Sequence, residues 1–198
     1  MGSEMCIRDR YQGSIDTIMS PLDSIRYQKS FLRVGFMSMD PNTGHVKAYV
    51  GGPDFTHFQY DMASVGRRQI GSTVKPFLYT LAMEEGFTPC DMFLNEQPTL
   101  ITEDGKPWSP RNSSKARVGE MVSLRWGLAN SNNWISARLM DKLSPSSLAR
   151  LMHSFGIKNK IDEVISLCLG PVEVSVEEMV TAYTAFSNKG VRVDPLYC

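Results

Sequence analysis

Two short runs of alternating apolar residues flank a strong turn signal early in the chain, and most of the remaining sequence has a helical period. Val34, then Phe36 or Met37, then Met39 place large apolar side chains at alternate positions. Pro41-Asn42-Thr43-Gly44 is built from turn formers, and His45 to Val50 alternates again before Gly51-Gly52. This pattern predicts a β-hairpin. From Ser72 the period lengthens: Val74, Phe77, Leu78, Leu81 and Ala82 predict a helix ending near Gly86. Pro76 is tolerated only in its first turn. Further helices are predicted over 124–130, over 134–143, and from Ser144-Pro145 to Phe155. The last predicted helix opens on a Ser175–Glu178 capping box and closes at Gly190. Upstream, Ser20-Pro21-Leu22-Asp23-Ser24 predicts a turn opening a short helix toward Phe31, whereas 53–71 and 87–122 read as irregular loop. Strands first and helices after is a segregated order, which predicts the α+β class over alternating βαβ units. A lone hairpin is a marginal sheet, so further strands are expected beyond residue 198.

Charge narrows the partners. Lysine plus arginine equals aspartate plus glutamate at 21 each in 198 residues, which leaves no electrostatic footprint for nucleic acid or for an anionic membrane surface. No apolar run approaches the roughly 18 residues of a membrane span, and no secretory h-region is visible. Cys6, Cys90, Cys168 and Cys198 lie far apart, as do His45, His57 and His153. Metal-site spacing is absent, so no metal is expected.

Both ends shape the expected domain boundaries. Met1 to Arg10 has neither periodicity nor turn logic and resembles translated adapter or vector sequence. Residues 1–11 are therefore read as an artefactual or disordered leader, and 12–198 as a partial domain. Pro195-Leu196-Tyr197-Cys198 closes no element.

Ser72-Thr73-Val74-Lys75 is the one S-x-x-K in the chain. Residues three apart on a helix share a face, so the Lys75 amine can reach the Ser72 hydroxyl. Serine needs a base to be a nucleophile, and lysine serves when its neutral form is favoured. A helix N-terminus adds N–H groups and a positive dipole end for a developing oxyanion. On these four residues alone, a serine N-cap beside a solvated lysine is the plainer reading. Ser131-Asn132-Asn133 stands between two predicted helices, where a capping cluster is likewise the plainer reading. Functionally, Ser131 could relay a proton and Asn133 could hold a substrate amide. No G-x-S-x-G elbow and no phosphate-binding glycine loop occurs, and no histidine is singled out for a serine triad.

Arg67-Arg68-Gln69-Ile70-Gly71-Ser72-Thr73-Val74-Lys75-Pro76-Phe77 closely resembles the active-serine segment of class A penicillin-binding proteins. Val50 to Phe55, Trp108 to Asn112, Leu124 to Asn133, and Leu169 to Val174 leading into Glu178-Met179 and Ala182-Tyr183 resemble the family in the same order. The resemblance spans most of 33–195 and is stronger evidence than any single motif. It implies the penicillin-binding and serine β-lactamase-like transpeptidase fold, an antiparallel sheet with a helical subdomain. It implies a peptidoglycan D,D-transpeptidase, with Ser72 attacking the penultimate D-alanine carbonyl of a stem peptide, Lys75 as base and Ser131 assisting the leaving D-alanine. An amine of a neighbouring stem peptide would resolve the acyl-enzyme, and β-lactams would acylate the same serine. Asn133, Trp108 and Asn112 are the expected substrate-binding residues, with core packing the other reading of Trp108. The resemblance implies no cofactor, peptidoglycan stem peptides and other cell-wall synthesis proteins as partners, and a place on the extracytoplasmic face of the bacterial inner membrane.

One departure stands out. The family's K-T-G or K-S-G is absent after Asn133, and Asn188-Lys189-Gly190 does not match it. The C-terminal sheet strands, the upstream glycosyltransferase domain and the membrane anchor are expected to be missing, and turnover by these residues alone is expected to be weak or nil. The alternatives are a serine β-lactamase, a β-lactam-sensing receptor domain, or a non-catalytic cell-wall binding module.

Overall fold

A computed structural model describes residues 4–10, 13–55 and 58–197, which divide into two compact units between Val34 and Gly35. His57 and Cys198 lie outside the described residues, as does the side chain of Cys6. In the first unit, β1 (Glu4–Arg10) and β2 (Gly13–Met19) pair antiparallel, with Glu4 opposite Met19 and Arg10 opposite Gly13. Much of the expected leader is thus strand here; a backbone ladder forms without a side-chain period to announce it. Helix α1 (Pro21–Ser30) starts where the turn signal placed it. Ser20 Oγ accepts from Asp23 N at 3.2 Å, and Pro21 sits where its missing N–H costs nothing.

The second unit opens with the expected hairpin, β3 (Phe36–Met39) and β4 (Val46–Val50), with Met37 opposite Tyr49 and a bulge after Ser38. Asp40 Oδ1 closes its turn by accepting from Asn42 N at 2.8 Å and Thr43 N at 3.2 Å. The stretches read as loop contain β5 (Arg67–Gln69), β6 (Met92–Leu94), β7 (Leu100–Ile101), β8 (Pro107–Trp108) and β9 (Met121–Ser123). Each has two or three residues, too few to show an alternation. All pair antiparallel: β6 with β9, β7 with β8, and β5 with β10 (Glu173–Ser175).

Helices α2 (Lys75–Glu84), α3 (Leu124–Ala129), α4 (Asn133–Met140), α5 (Pro145–Ser154) and α6 (Val176–Ser187) fall where the period placed them. The Ser175–Glu178 capping box forms as expected. Helix α2 is the centre of the core. Its Val74-Phe77-Leu78-Leu81-Ala82 face is buried against Leu124, Ile135, Leu148, Met152 and Leu167. Phe77 meets Phe155, Tyr183 and Phe186 edge-on at 5.1–5.7 Å between ring centroids. Full burial of Phe77 and Leu78 contributes roughly 2–3 kcal/mol apiece. Helix α3 lies close to its neighbours at Gly127, where a Cβ would come within 2.8 Å of Ile135 and 2.9 Å of the Tyr79 hydroxyl. The arrangement is α+β, and among the described residues no helix is long and apolar enough to cross a membrane.

Candidate active site

Ser72 does not stand in an α-helix. Gly71–Val74 is a 3-10 turn leading into α2, and Pro76 is its cause. Proline has no N–H to give the Ser72 carbonyl, which accepts from Lys75 N instead. With three residues per turn, positions i and i+3 eclipse one another. Ser72 and Lys75 thus share one side of the turn, Ser72 exposed and Lys75 only 1% exposed.

The lysine head is received by the α3–α4 junction. Lys75 Nζ donates to Ser131 O at 2.6 Å, Ser131 Oγ at 3.0 Å and Asn133 Oδ1 at 2.7 Å. Three acceptors match the three N–H bonds of an ammonium; Ser72 is not among them. The junction itself is a Schellman cap. Ser131 N donates to Leu128 O and Asn132 N to Gly127 O, both at 2.9 Å. Ser131 therefore occupies the left-handed position usually held by glycine, at φ 49°. Such a conformation costs a side-chain-bearing residue about 1–2 kcal/mol, and it aims Oγ at the lysine. Asn132 then caps α4, its Oδ1 accepting from Trp134 N at 2.9 Å and Ile135 N at 3.0 Å.

Burial lowers the Lys75 pKa from its ordinary 10.5 to about 8, because the ammonium is removed from water. Cys168, fully buried beside it, is pushed up to about 12 by the same desolvation and so stays a neutral thiol. The site thus supports an amine that can lose its proton near neutral pH, three residues after a serine open to solvent on the same turn.

The other flank of the turn is held by β5 and β10. Ile70 N donates to Val172 O at 3.1 Å and Gly71 N to Gly170 O at 3.0 Å. Gly170 has φ 71°, and a Cβ there would collide with the Gly71 carbonyl. Arg67 Nη1 pairs with Glu178 Oε2 at 2.7 Å, joining β5 to the capped end of α6. The Tyr183 hydroxyl donates to Thr73 O at 2.8 Å. Glu178 is held below its usual range: burial opposes this, but N–H donors from Ser175 and Lys158 and the Arg67 charge outweigh it. An apolar groove of about 510 Å3 between β5, β10 and α6 borders Thr73 but is not lined by Ser72.

Of the six expected residues, Lys75, Ser131 and Asn133 are joined by hydrogen bonds at the junction, and Ser72 shares its turn with Lys75. Asn112 joins them, its Oδ1 accepting from Asn133 N at 3.1 Å. Trp108 stands in β8, partly buried against the core, as its alternative reading had it. Sequence reasoning missed Cys168, Arg111, whose carbonyl accepts from Asn133 Nδ2 at 2.8 Å, and the buried Asn95. Cys168 and Asn95 lie in no motif; Arg111 stands in the Trp108–Asn112 stretch but contributes only a backbone carbonyl, which no side-chain pattern marks, and the contacts join distant segments.

Comparison with known proteins matches this geometry to a family. The model for the penicillin binding protein transpeptidase domain matches residues 34–198, and that for the penicillin-binding protein middle domain matches 9–32. Penicillin-binding protein 1A of Rickettsia conorii is 37% identical over 161 residues, covering 80% of this chain and 20% of that protein. Penicillin-binding protein 2D of Bacillus subtilis is 34% identical over 169 residues, covering 85% and 24%. The chain spans 20–24% of the length of these curated relatives. The crystal structure of penicillin-binding protein 1A from Haemophilus influenzae superposes with a TM-score of 0.78 at 26% identity, covering 97% of this chain and 27% of that one.

Proposed function

The chain belongs to the penicillin-binding protein transpeptidase family, and on that premise we propose that it carries the serine and lysine of a peptidoglycan D,D-transpeptidase. Ser72 Oγ attacks the penultimate D-alanine carbonyl of a stem peptide while Lys75, as neutral amine, takes the hydroxyl proton. The tetrahedral intermediate collapses, Ser131 passes a proton to the departing D-alanine, and an ester to Ser72 remains. An amine of a neighbouring stem peptide then attacks the ester and releases the cross-link, returning the proton through Ser131 and Lys75. A β-lactam acylates the same oxygen. Asn133 and Asn112 hold the substrate amide, and Trp108 supports the strand beside them. The protein acts on the extracytoplasmic side of the membrane, where its substrate lies, alongside other cell-wall enzymes. Within the 12–198 domain, residues 34–198, those of the transpeptidase match, are assigned to this activity, and 1–11 to none of it.

One observation carries the reading: a lysine 1% exposed, three residues after an exposed serine, whose Nζ lies 2.6–3.0 Å from three acceptors of a single S-x-N segment. A solvated surface lysine beside a capping serine would not be built this way. With a pKa of about 8, roughly a tenth of the amine is neutral at pH 7.

The test is capture of a labelled penicillin by the natural-length gene product, with the adduct mapped by peptide mass. A stable adduct on Ser72, lost in Ser72→Ala, is expected. A folded protein that continues to a K-T-G strand yet forms no adduct would favour the non-catalytic binding module, and an adduct that hydrolyses quickly would favour a β-lactamase.

A further inference from the structure

Beneath the α3–α4 junction lies a buried amide that no motif marks. Asn95 follows β6 and is 0% exposed. Its Nδ2 donates to Ala116 O at 2.9 Å and Arg117 O at 2.8 Å, and its Oδ1 accepts from Asn132 Nδ2 at 2.9 Å. Its backbone is equally engaged: Asn95 N donates to Glu120 O at 2.9 Å, and Asn95 O accepts from Gly119 N at 3.0 Å. Asn132, 2% exposed, spends its Oδ1 on capping α4 and one amide hydrogen on Asn95. A fully satisfied buried polar link fixes one geometry, because any displacement strands a donor or acceptor away from water.

The link fixes the S-x-N segment. Asn132 is the middle residue, so its neighbours Ser131 and Asn133 cannot shift without breaking it. On the reading that Lys75 is the base, we propose that Asn95 is a positioning residue for it, holding Asn132, and through Asn132 both Ser131 and Asn133, against the lysine amine. The same link explains how Ser131 keeps a left-handed backbone that its own side chain disfavours. It also anchors residues 116–119, and so ties the segment that carries Asn112 and Arg111 to the junction these two contact from outside.

Two neutral substitutions separate positioning from stability. Asn95→Leu keeps the side-chain bulk and removes all three side-chain bonds. Asn132→Ser keeps a capping oxygen for α4 and removes the donor to Asn95. Acylation by a labelled penicillin is followed as its first-order constant at saturation, with Lys75 titrated in parallel by NMR of its Nζ and Cε. Each variant should acylate on the order of tenfold slower or worse, with the Lys75 titration midpoint displaced. The double variant should be no slower than the slower single one, the mark of a shared interaction. Urea melts report the folded fraction, and if Asn95→Leu does not fold, Asn132→Ser alone decides. A folded variant with the unsubstituted acylation constant and Lys75 midpoint overturns the proposal, even if its urea midpoint has fallen. If the unsubstituted natural-length protein never acylates yet the Lys75 midpoint moves in the variants, the positioning stands and the transpeptidase reading falls.

Discussion

Ser131 and Gly170 stand on opposite flanks of the Ser72–Lys75 turn, and both have a left-handed backbone, at φ 49° and 71°. They meet the same conformational demand with opposite chemistry. At Gly170 the backbone must approach the Gly71 carbonyl so closely that no Cβ fits. At Ser131 there is room, and a hydroxyl 3.0 Å from Lys75 Nζ is kept despite the strain. At this pair of positions the glycine answers a packing constraint and the strained serine a chemical one.

Substitution should separate the two cases. Gly170→Ala combines left-handed strain with a backbone collision and should destabilise the fold by about 3–5 kcal/mol, read from urea melts. A loss below about 1 kcal/mol would mean the two backbones can part freely. Ser131→Gly should do the reverse, raising stability by about 0.5–1 kcal/mol while slowing penicillin acylation on the order of a hundredfold. Ser131→Ala, which keeps the strain and loses the hydroxyl, should acylate as slowly without the gain in stability. Equal acylation by all three forms would remove Ser131 from the mechanism. Smaller still is the pH effect: acylation should rise about tenfold from pH 6 to 7, rise further with a midpoint near 8 and level off above it, as Lys75 loses its proton. A flat profile across that range would exclude Lys75 as the titrating base.

Much of this architecture is legible in the sequence. The hairpin, the helices and the capping box come from periods and caps that span several residues, and the four central residues sit in motifs with fixed spacing. The strands from β5 to β10 are not legible, because two or three residues carry no period and their pairing is set by tertiary contacts. The 3-10 turn is half legible: Pro76 points to a first turn, but its effect on the Ser72 carbonyl emerges only from the hydrogen-bond pattern. Asn95 leaves no local signal, since its partner Asn132 is 37 residues away.

A base made by burial also changes how the fold responds to alkali. Lys75 titrates near 8 when folded and near 10.5 otherwise. Between those values the unfolded chain binds more protons, so unfolding becomes harder as pH rises. Cys168 acts in the opposite sense, since its thiol ionises near 9 when unfolded and near 12 when folded. Above pH 9 the unfolded chain sheds that proton first, and the two slopes offset up to about pH 10.5, where the Lys75 slope ends. The pair therefore contributes a gain confined to about pH 8–9, on the order of 1 kcal/mol. Without the thiol, as in Cys168→Ala, the gain should continue to about pH 10.5, so that removing a buried group outside any motif would widen the alkaline range of the protein.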